Sequence, residues 1–286
     1  MANILLVKRR IQAAQNVSKT TRAMQMIAAS KLKKGQNTYI ATKPYAQKLV
    51  ELSQNIVTRL DEDQLHEYMK KPKNVNKTLI VVFAPDKGLC GSLVTNLIRE
   101  FLRQDNPSEN IIYLTVGKKI EKVVANSKRE IVASFKFATF PSFDLVYPIA
   151  KIIDEYFLQK KVSGVKIIST NFSSVFSQSP KVTQLLPIDL PQENIKPVNS
   201  ITLFEPDASE ILPSLLLHYL EMSLYQLLVE SYAAEQAARM VAMQNATDNA
   251  ADMIKDLKLE YNKKRQEKIT NEILDIGSSA FTSAYE

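Results

Sequence analysis

The chain is poor in the residues that build metal and redox sites. One cysteine, Cys90, among 286 residues excludes an internal disulfide, and two isolated histidines, His66 and His218, supply no metal-ligand cluster. Redox and zinc chemistry are set aside on that account. No run approaches the roughly 18 apolar residues of a membrane span, and the apolar patch within residues 1–10 is too short for a secretory signal. A cytosolic protein is expected. Acid is scarce at one end: residues 1–59 hold eleven Lys and Arg against the single Glu51, while the remainder holds 26 against 29. The net charge of +7 therefore belongs to the N-terminal arm. Such an arm attracts nucleic acid, anionic lipid or an acidic protein partner, and charge alone does not choose among them. The last shortage is of helix breakers. Between Pro213 and Gly277, residues 214–276 run for 63 residues without a proline or glycine.

At about 1.5 Å per residue that stretch is a rod of roughly 95 Å, too long for one globular domain to bury. Glu205-Pro206-Asp207, then Ser209 and Glu210, place its start near Asp207. Its middle, residues 233–251, carries eight alanines. Ala242, Ala246, Ala250, Met253, Leu257 and Tyr261 follow three or four apart along one side, and small residues let another helix come close. The stripe continues through Ile269, Ile273 and Ile276 into a small, apolar end with Ala280, Phe281, Ala284 and Tyr285. At the other end of the chain Ile4, Val7, Ile11, Ala14, Ser18, Thr21, Gln25, Ala28, Leu32, Gly35 and Tyr39 keep an alternating three-four spacing. That is a heptad seam whose small and polar middle suits the alanine-rich rod, and the two helices are expected to pair antiparallel within one chain. Lys8, Arg9, Arg10, Lys19, Arg22, Lys31, Lys33 and Lys34 fall outside the seam, as on a solvated face. Gly35 and Pro44 mark weak points, after which the pattern resumes through Tyr45, Leu49, Leu52 and Ile56 and ends near Leu60.

From Thr78 the period changes. Residues 79–83 (LIVVF) read as a short buried strand stopped by Pro85-Asp86-Lys87-Gly88. A helix over 92–104, a strand over 111–116, helices over 118–126 and 145–158, and strands over 165–169 and 181–188 follow, with Pro180 and Pro187 pushing the last to an edge. This alternation predicts an α/β layer inserted between the paired helices. The expected division is a first helix at 1–60, a linker at 61–77, a Rossmann-like domain at 78–200 and the long helix from 201 to 286.

The turn at 86–92, after a strand and before a helix, lies where α/β proteins often bind phosphate. Its two glycines, Gly88 and Gly91, fit neither the nucleotide P-loop nor the three-glycine dinucleotide fingerprint, so a tight connection with close packing is preferred. A nucleophilic Cys90 would need His66 or His218 brought to it, and a small buried thiol is the simpler reading. No catalytic constellation emerges. A nucleic-acid-binding coiled coil remains a rival, to be recognised by steep salt dependence, although Tyr39 and Tyr45 alone are a poor stacking platform for bases.

Specific strings go further. Residues 21–31 (TRAMQMIAASK), 86–91 (DKGLCG), 184–187 (QLLP), 238–243 (ARMVAM) with 246–249 (ATDN), and 261–266 (YNKKRQ) with 269–272 (ITNE) span the chain. With them the sequence resembles the gamma subunit of the F-type rotary ATP synthase. The resemblance implies a non-catalytic central shaft, one copy per complex and without cofactor. Such a shaft turns inside a ring of three alpha and three beta subunits and couples proton or sodium flow to ATP synthesis or hydrolysis. It further implies an epsilon subunit and a membrane c-ring as partners, no nucleic acid, and a peripheral position on the cytoplasmic face of an energy-coupling membrane.

Residue by residue, the resemblance assigns Arg22, Met24, Arg239, Arg265, Gln266, Thr270 and Glu272 to contact with the catalytic ring. It assigns Ile273, Ile276, Ala280 and Phe281 to an apolar bearing tip, and Leu203, Phe204 and Glu205 to a foot toward the rotor ring. Phe281, Tyr285 and Glu286 are bulkier and more polar than the family's alanine-rich ending. No second cysteine is present for a thiol switch of the chloroplast type.

Overall fold

A computed structural model describes residues 2–58, 60, 65–72, 75–106, 108–137, 140–189, 205 and 207–282, with side chains from residue 4 to residue 274. The chain forms two compact units, Ala28–Arg239 and Met1–Ile27 with Met240–Glu286. Two long helices, α1 (Ala2–Val57) and α5 (Ala208–Thr282), contribute to both.

The larger unit is built on a five-stranded sheet of order β3-β2-β1-β4-β5. Its strands are β1 (Lys77–Phe83), β2 (Asn110–Val116), β3 (Ile131–Phe135), β4 (Gly164–Phe172) and β5 (Gln178–Leu186). The first four are parallel, and β5 returns antiparallel along β4 as an edge strand carrying Pro180. Helices α2 (Leu93–Gln104), α3 (Lys118–Asn126) and α4 (Phe143–Leu158) make the crossovers. The central strands read as continuous apolar runs because both faces are covered. Leu79, Val81 and Phe83 of β1 face a core with α4, Leu49 and Ile56 of α1, and α5 from Leu212 to Tyr232. Ile80, Val82 and Ala84 face Leu93, Leu97 and Phe101 of α2, Ile120 and Val124 of α3, and Ala238 of α5. Between β2 and α3 the chain turns at Gly117 with φ +113°, where a Cβ would lie 1.8 Å from the Ala84 carbonyl oxygen. Only glycine fits that approach.

In this unit α1 and α5 pack antiparallel: Gly35 meets Ala233, and Tyr45 reaches back to His218 at 2.7 Å. A Cβ on Gly35 would come within 3.3 Å of both Ala233 Cβ and Tyr232 Cδ1, so this glycine permits close approach of two helices and is not a weak point. The helix runs on through it and through Pro44. Beyond Tyr39 the seam differs from the expected one. Tyr45 and Leu52 are exposed, whereas Thr42, Ala46, Leu49, Ser53 and Ile56 turn inward and keep the heptad unbroken. Strand β3, not anticipated from the sequence, is an edge strand whose residues are only partly buried. Proline and glycine do not bound the second long helix either, since α5 includes Pro213 and passes through Gly277.

In the smaller unit the pairing is again antiparallel. Thr21 and Thr247 share a hydrogen bond of 2.7 Å, and Gln25 bonds Gln244, so partner numbers fall on α5 as they rise on α1. Val7 and Ala14 of α1 and Met243 and Ala250 of α5 are buried. Ile254, not Met253, continues the stripe inward, and Met253 is 58% exposed.

Candidate functional site

The order β3-β2-β1-β4-β5 places the topological switch between β1 and β4, and the loop after β1 is the position where such sheets bind ligands. Here it is occupied by side chains of α5. Arg239 donates to the carbonyls of Gly88 at 3.3 Å and Lys87 at 3.5 Å, and pairs with Glu235 one turn back at 2.7 Å. Glu235 is only 6% exposed. Burial pushes its carboxyl above the usual range, and the Arg239 guanidinium opposes that shift. An anion site would aim amides into the crevice, whereas these carbonyls point at a resident cation. On the other flank Asp86 Oδ1 accepts from the Lys118 amide at 2.8 Å, tying the loop to the start of α3.

Cys90 is 2% exposed and packs in the cluster that contains Ala238, Leu93 and Leu97. Burial pushes its thiol up, and the charged groups acting on it are Arg239 and Glu235, neither of which is a histidine. A thiol so placed is a poor nucleophile.

The same helix fastens β4. The β1–β4 ladder stops at Val82↔Ile168 while the pairing with β5 continues to Phe172, so the amides of β4 beyond Ile168 that face away from β5 need other acceptors. The Thr170 amide donates to Ser231 Oγ at 3.2 Å and the Phe172 amide to Glu230 Oε1 at 3.1 Å. No sequence motif announces these bonds, because each joins a side chain to backbone across about sixty residues or more.

The residues assigned to ring contact divide. Arg22, Met24, Arg265, Gln266, Thr270 and Glu272 lie exposed on α1 and α5. Thr270 Oγ1 donates to its own helix at Gln266 O, and Glu272 pairs with Lys268 at 3.3 Å. Arg239 is largely enclosed by the contacts just described. In the antiparallel register α1 begins, at Ala2, about level with Gln266, so α5 continues past its partner. There Ile269, Ile273 and Leu274 are 45%, 63% and 63% exposed. Ile276, Ala280 and Phe281 belong to the described backbone of α5, with side chains outside the described set, as are Leu203 and Phe204 entirely. Glu205, the remaining residue of the proposed foot, is exposed.

The fold and site thus define a paired-helix protein with an inserted doubly wound α/β domain whose usual ligand crevice is closed by its own helix. The family model described as ATP synthase matches residues 3–282. A curated relative from Dehalococcoides mccartyi strain BAV1, named ATP synthase gamma chain, is 38% identical over 98% of this chain and 99% of its own. Another of that name, from Methylacidiphilum infernorum, is 34% identical over 98% and 99%. This chain belongs to the ATP synthase gamma-chain family. Its fold is similar to the rotor of Euglena gracilis mitochondrial ATP synthase, with TM-score 0.65 at 15% identity over 94% of this chain and 99% of that one. It is likewise similar to a chain of the Tetrahymena thermophila mitochondrial ATP synthase central stalk and c-ring structure, with TM-score 0.60 at 24% identity over 79% and 99%.

Proposed function

We propose that the chain is the central rotor shaft of an ATP synthase. It turns, in one copy, inside a ring of three alpha and three beta subunits, with an epsilon subunit and a membrane c-ring as its other partners. The observation that carries this is the placement of exposed apolar side chains. Among the described residues, eleven of the nineteen exposed large hydrophobics lie in the smaller unit, Leu5, Leu6, Val17, Met24, Met26 and Ile27 on α1 and Met253, Leu259, Ile269, Ile273 and Leu274 on α5. That unit contributes 74 of 286 residues, 27 from one end of the chain and 47 from the other. An apolar surface so concentrated is built to be enclosed.

Apolar contact is non-directional, so a sleeve around such helices holds them without fixing one angle. Arg22, Arg265 and Gln266 add directional contacts that favour particular angles. The shaft itself breaks and makes no bond. Its asymmetric surface biases three otherwise equivalent catalytic sites toward different conformations, and rotation passes each site through the series. Ion flow at the membrane drives the shaft one way for ATP synthesis, and hydrolysis drives it the other way. No helix among the described residues is long and apolar enough to cross a membrane, which suits a peripheral subunit.

Affinity purification of the tagged chain under mild conditions, with mass measurement of the intact assembly, tests the proposal. A nucleotide-binding ring with three copies each of two subunits per copy of this chain is expected. Recovery in a stable assembly without ATPase subunits would refute the rotor reading.

A further inference from the structure

We infer that Arg239 is a positioning residue: held by Glu235, it latches the loop after β1 onto α5, so that the α/β domain and this helix turn as one body. The inference rests on the rotor reading for its functional consequence and on geometry for the latch itself. Along α5, three side chains take hold of backbone at the same end of the sheet, Glu230 and Ser231 on β4 and Arg239 on the loop. The first two accept from amides that the sheet ladder leaves free. Arg239 instead donates, to carbonyls of a loop that has no ladder to hold it.

The loop needs holding, because Leu89 sits at φ +64°, a left-handed conformation that an L side chain adopts at a cost. It is tied on one flank by Asp86 to the Lys118 amide and on the other by the guanidinium. Cys90 and Ala238 share the apolar cluster beneath, which seats the loop against α5. Glu235 is the orienting member. A buried carboxylate without a cation is strongly unfavourable, so Glu235 Oε1 holds Arg239 Nη2 at 2.7 Å, and the same nitrogen donates to the loop carbonyls. Lysine is one bond shorter than arginine, so its ammonium falls short of the position that Nη2 holds between the carboxylate and the carbonyls. A site that in other doubly wound sheets receives a ligand is here a mechanical joint.

The experiment compares the assembled complex containing wild-type chain with complexes containing Glu235→Gln/Arg239→Gln and Arg239→Lys. The double variant removes the latch without leaving one charge buried alone, so assembly is preserved. Backbone amide exchange over residues 86–91 and ions pumped per ATP hydrolysed are read together. Exchange about tenfold faster is expected in both variants, the protection lost with one charge-assisted hydrogen bond. Pumping per ATP hydrolysed should fall in both. Unchanged loop exchange in the double variant overturns the latch. Faster exchange with unchanged pumping per ATP overturns it as well, since the bonds would then serve local structure alone. If the wild-type chain joins no ATPase ring, the rotor reading fails, and exchange in the full chain by itself decides for or against the latch.

Discussion

Replacing Gly35 measures how closely α1 and α5 are locked together. A methyl group there would lie 3.3 Å from Ala233 Cβ and 3.3 Å from Tyr232 Cδ1, tighter than ordinary van der Waals contact. Neither neighbour has room to retreat. Ala233 and Tyr232 are 2% and 5% exposed, and the tyrosine ring stands edge-on to Phe140 at 5.3 Å and Phe137 at 6.4 Å. Alanine gains roughly 1 kcal/mol over glycine in a helix interior. Overpacking a filled interface costs about 1 to 3 kcal/mol. Gly35→Ala should therefore be close to neutral or lose up to about 2 kcal/mol, the difference of those two estimates. Gly35→Leu adds three further carbons against the same neighbours and should lose about 3 kcal/mol or more. For a chain of this size that is a fall in Tm of roughly 6 °C or more, at about 2 °C per kcal/mol. Thermal unfolding of the full chain followed by far-UV circular dichroism reads the shift. A leucine variant that melts with the wild type would mean that the helices do not touch at this point, and the antiparallel packing argued for the larger unit would be wrong there.

Other substitutions separate packing from function. Gly117→Ala puts a methyl group 1.8 Å from a backbone oxygen, which no side-chain movement relieves, so the α/β domain should lose more than about 4 kcal/mol and become open to limited proteolysis; a protease-resistant variant would contradict the close approach. Cys90→Ala should leave turnover of the assembled complex nearly intact, and the thiol should resist alkylation at neutral pH until the chain is unfolded, because it is buried and its pKa is raised. Abolished turnover with normal assembly would give the loop a chemical role. Arg265→Ala with Gln266→Ala should assemble yet change ATP hydrolysis and ion pumping, since each charge-assisted bond to the ring is worth about 1.5 to 3 kcal/mol; both rates at wild-type level would show that the pair makes no functional contact.

The seam from Ile4 to Tyr39 is legible because its spacing is regular even where its occupants are polar. Past Tyr39 the same spacing persists, but Thr42 and Ser53 hold seam positions while the larger apolar Tyr45 and Leu52 lie off it. Hydropathy misleads there for a physical reason. Thr42 Oγ1 donates to Thr38 O at 2.9 Å and Ser53 Oγ to Leu49 O at 2.8 Å, so each hydroxyl satisfies itself on its own helix and can be buried cheaply. The buried strands stood out as apolar runs, whereas the partly covered edge strand β3 did not. The resemblance marked Arg239, but its position against the loop depends on a contact between residues about 150 apart in sequence, one of them contributing only backbone. No side-chain pattern can record a carbonyl.

The same reasoning explains how a helical pair can expose so much apolar surface outward and still keep one register. A seam of large aliphatic residues would hold more tightly but would tolerate a shift of a heptad, since one leucine replaces another at little cost. In the smaller unit the seam instead carries Thr21 against Thr247 and Gln25 against Gln244. Sliding the helices would part hydroxyl from hydroxyl and amide from amide, so that each threonine keeps only the bond to its own helix, Thr21 to Ser18 O and Thr247 to Met243 O, and the contacts between the helices are lost. Adhesion is given up for register. A shaft needs that exchange, because torque applied along one helix reaches the other only while opposing residues stay opposed.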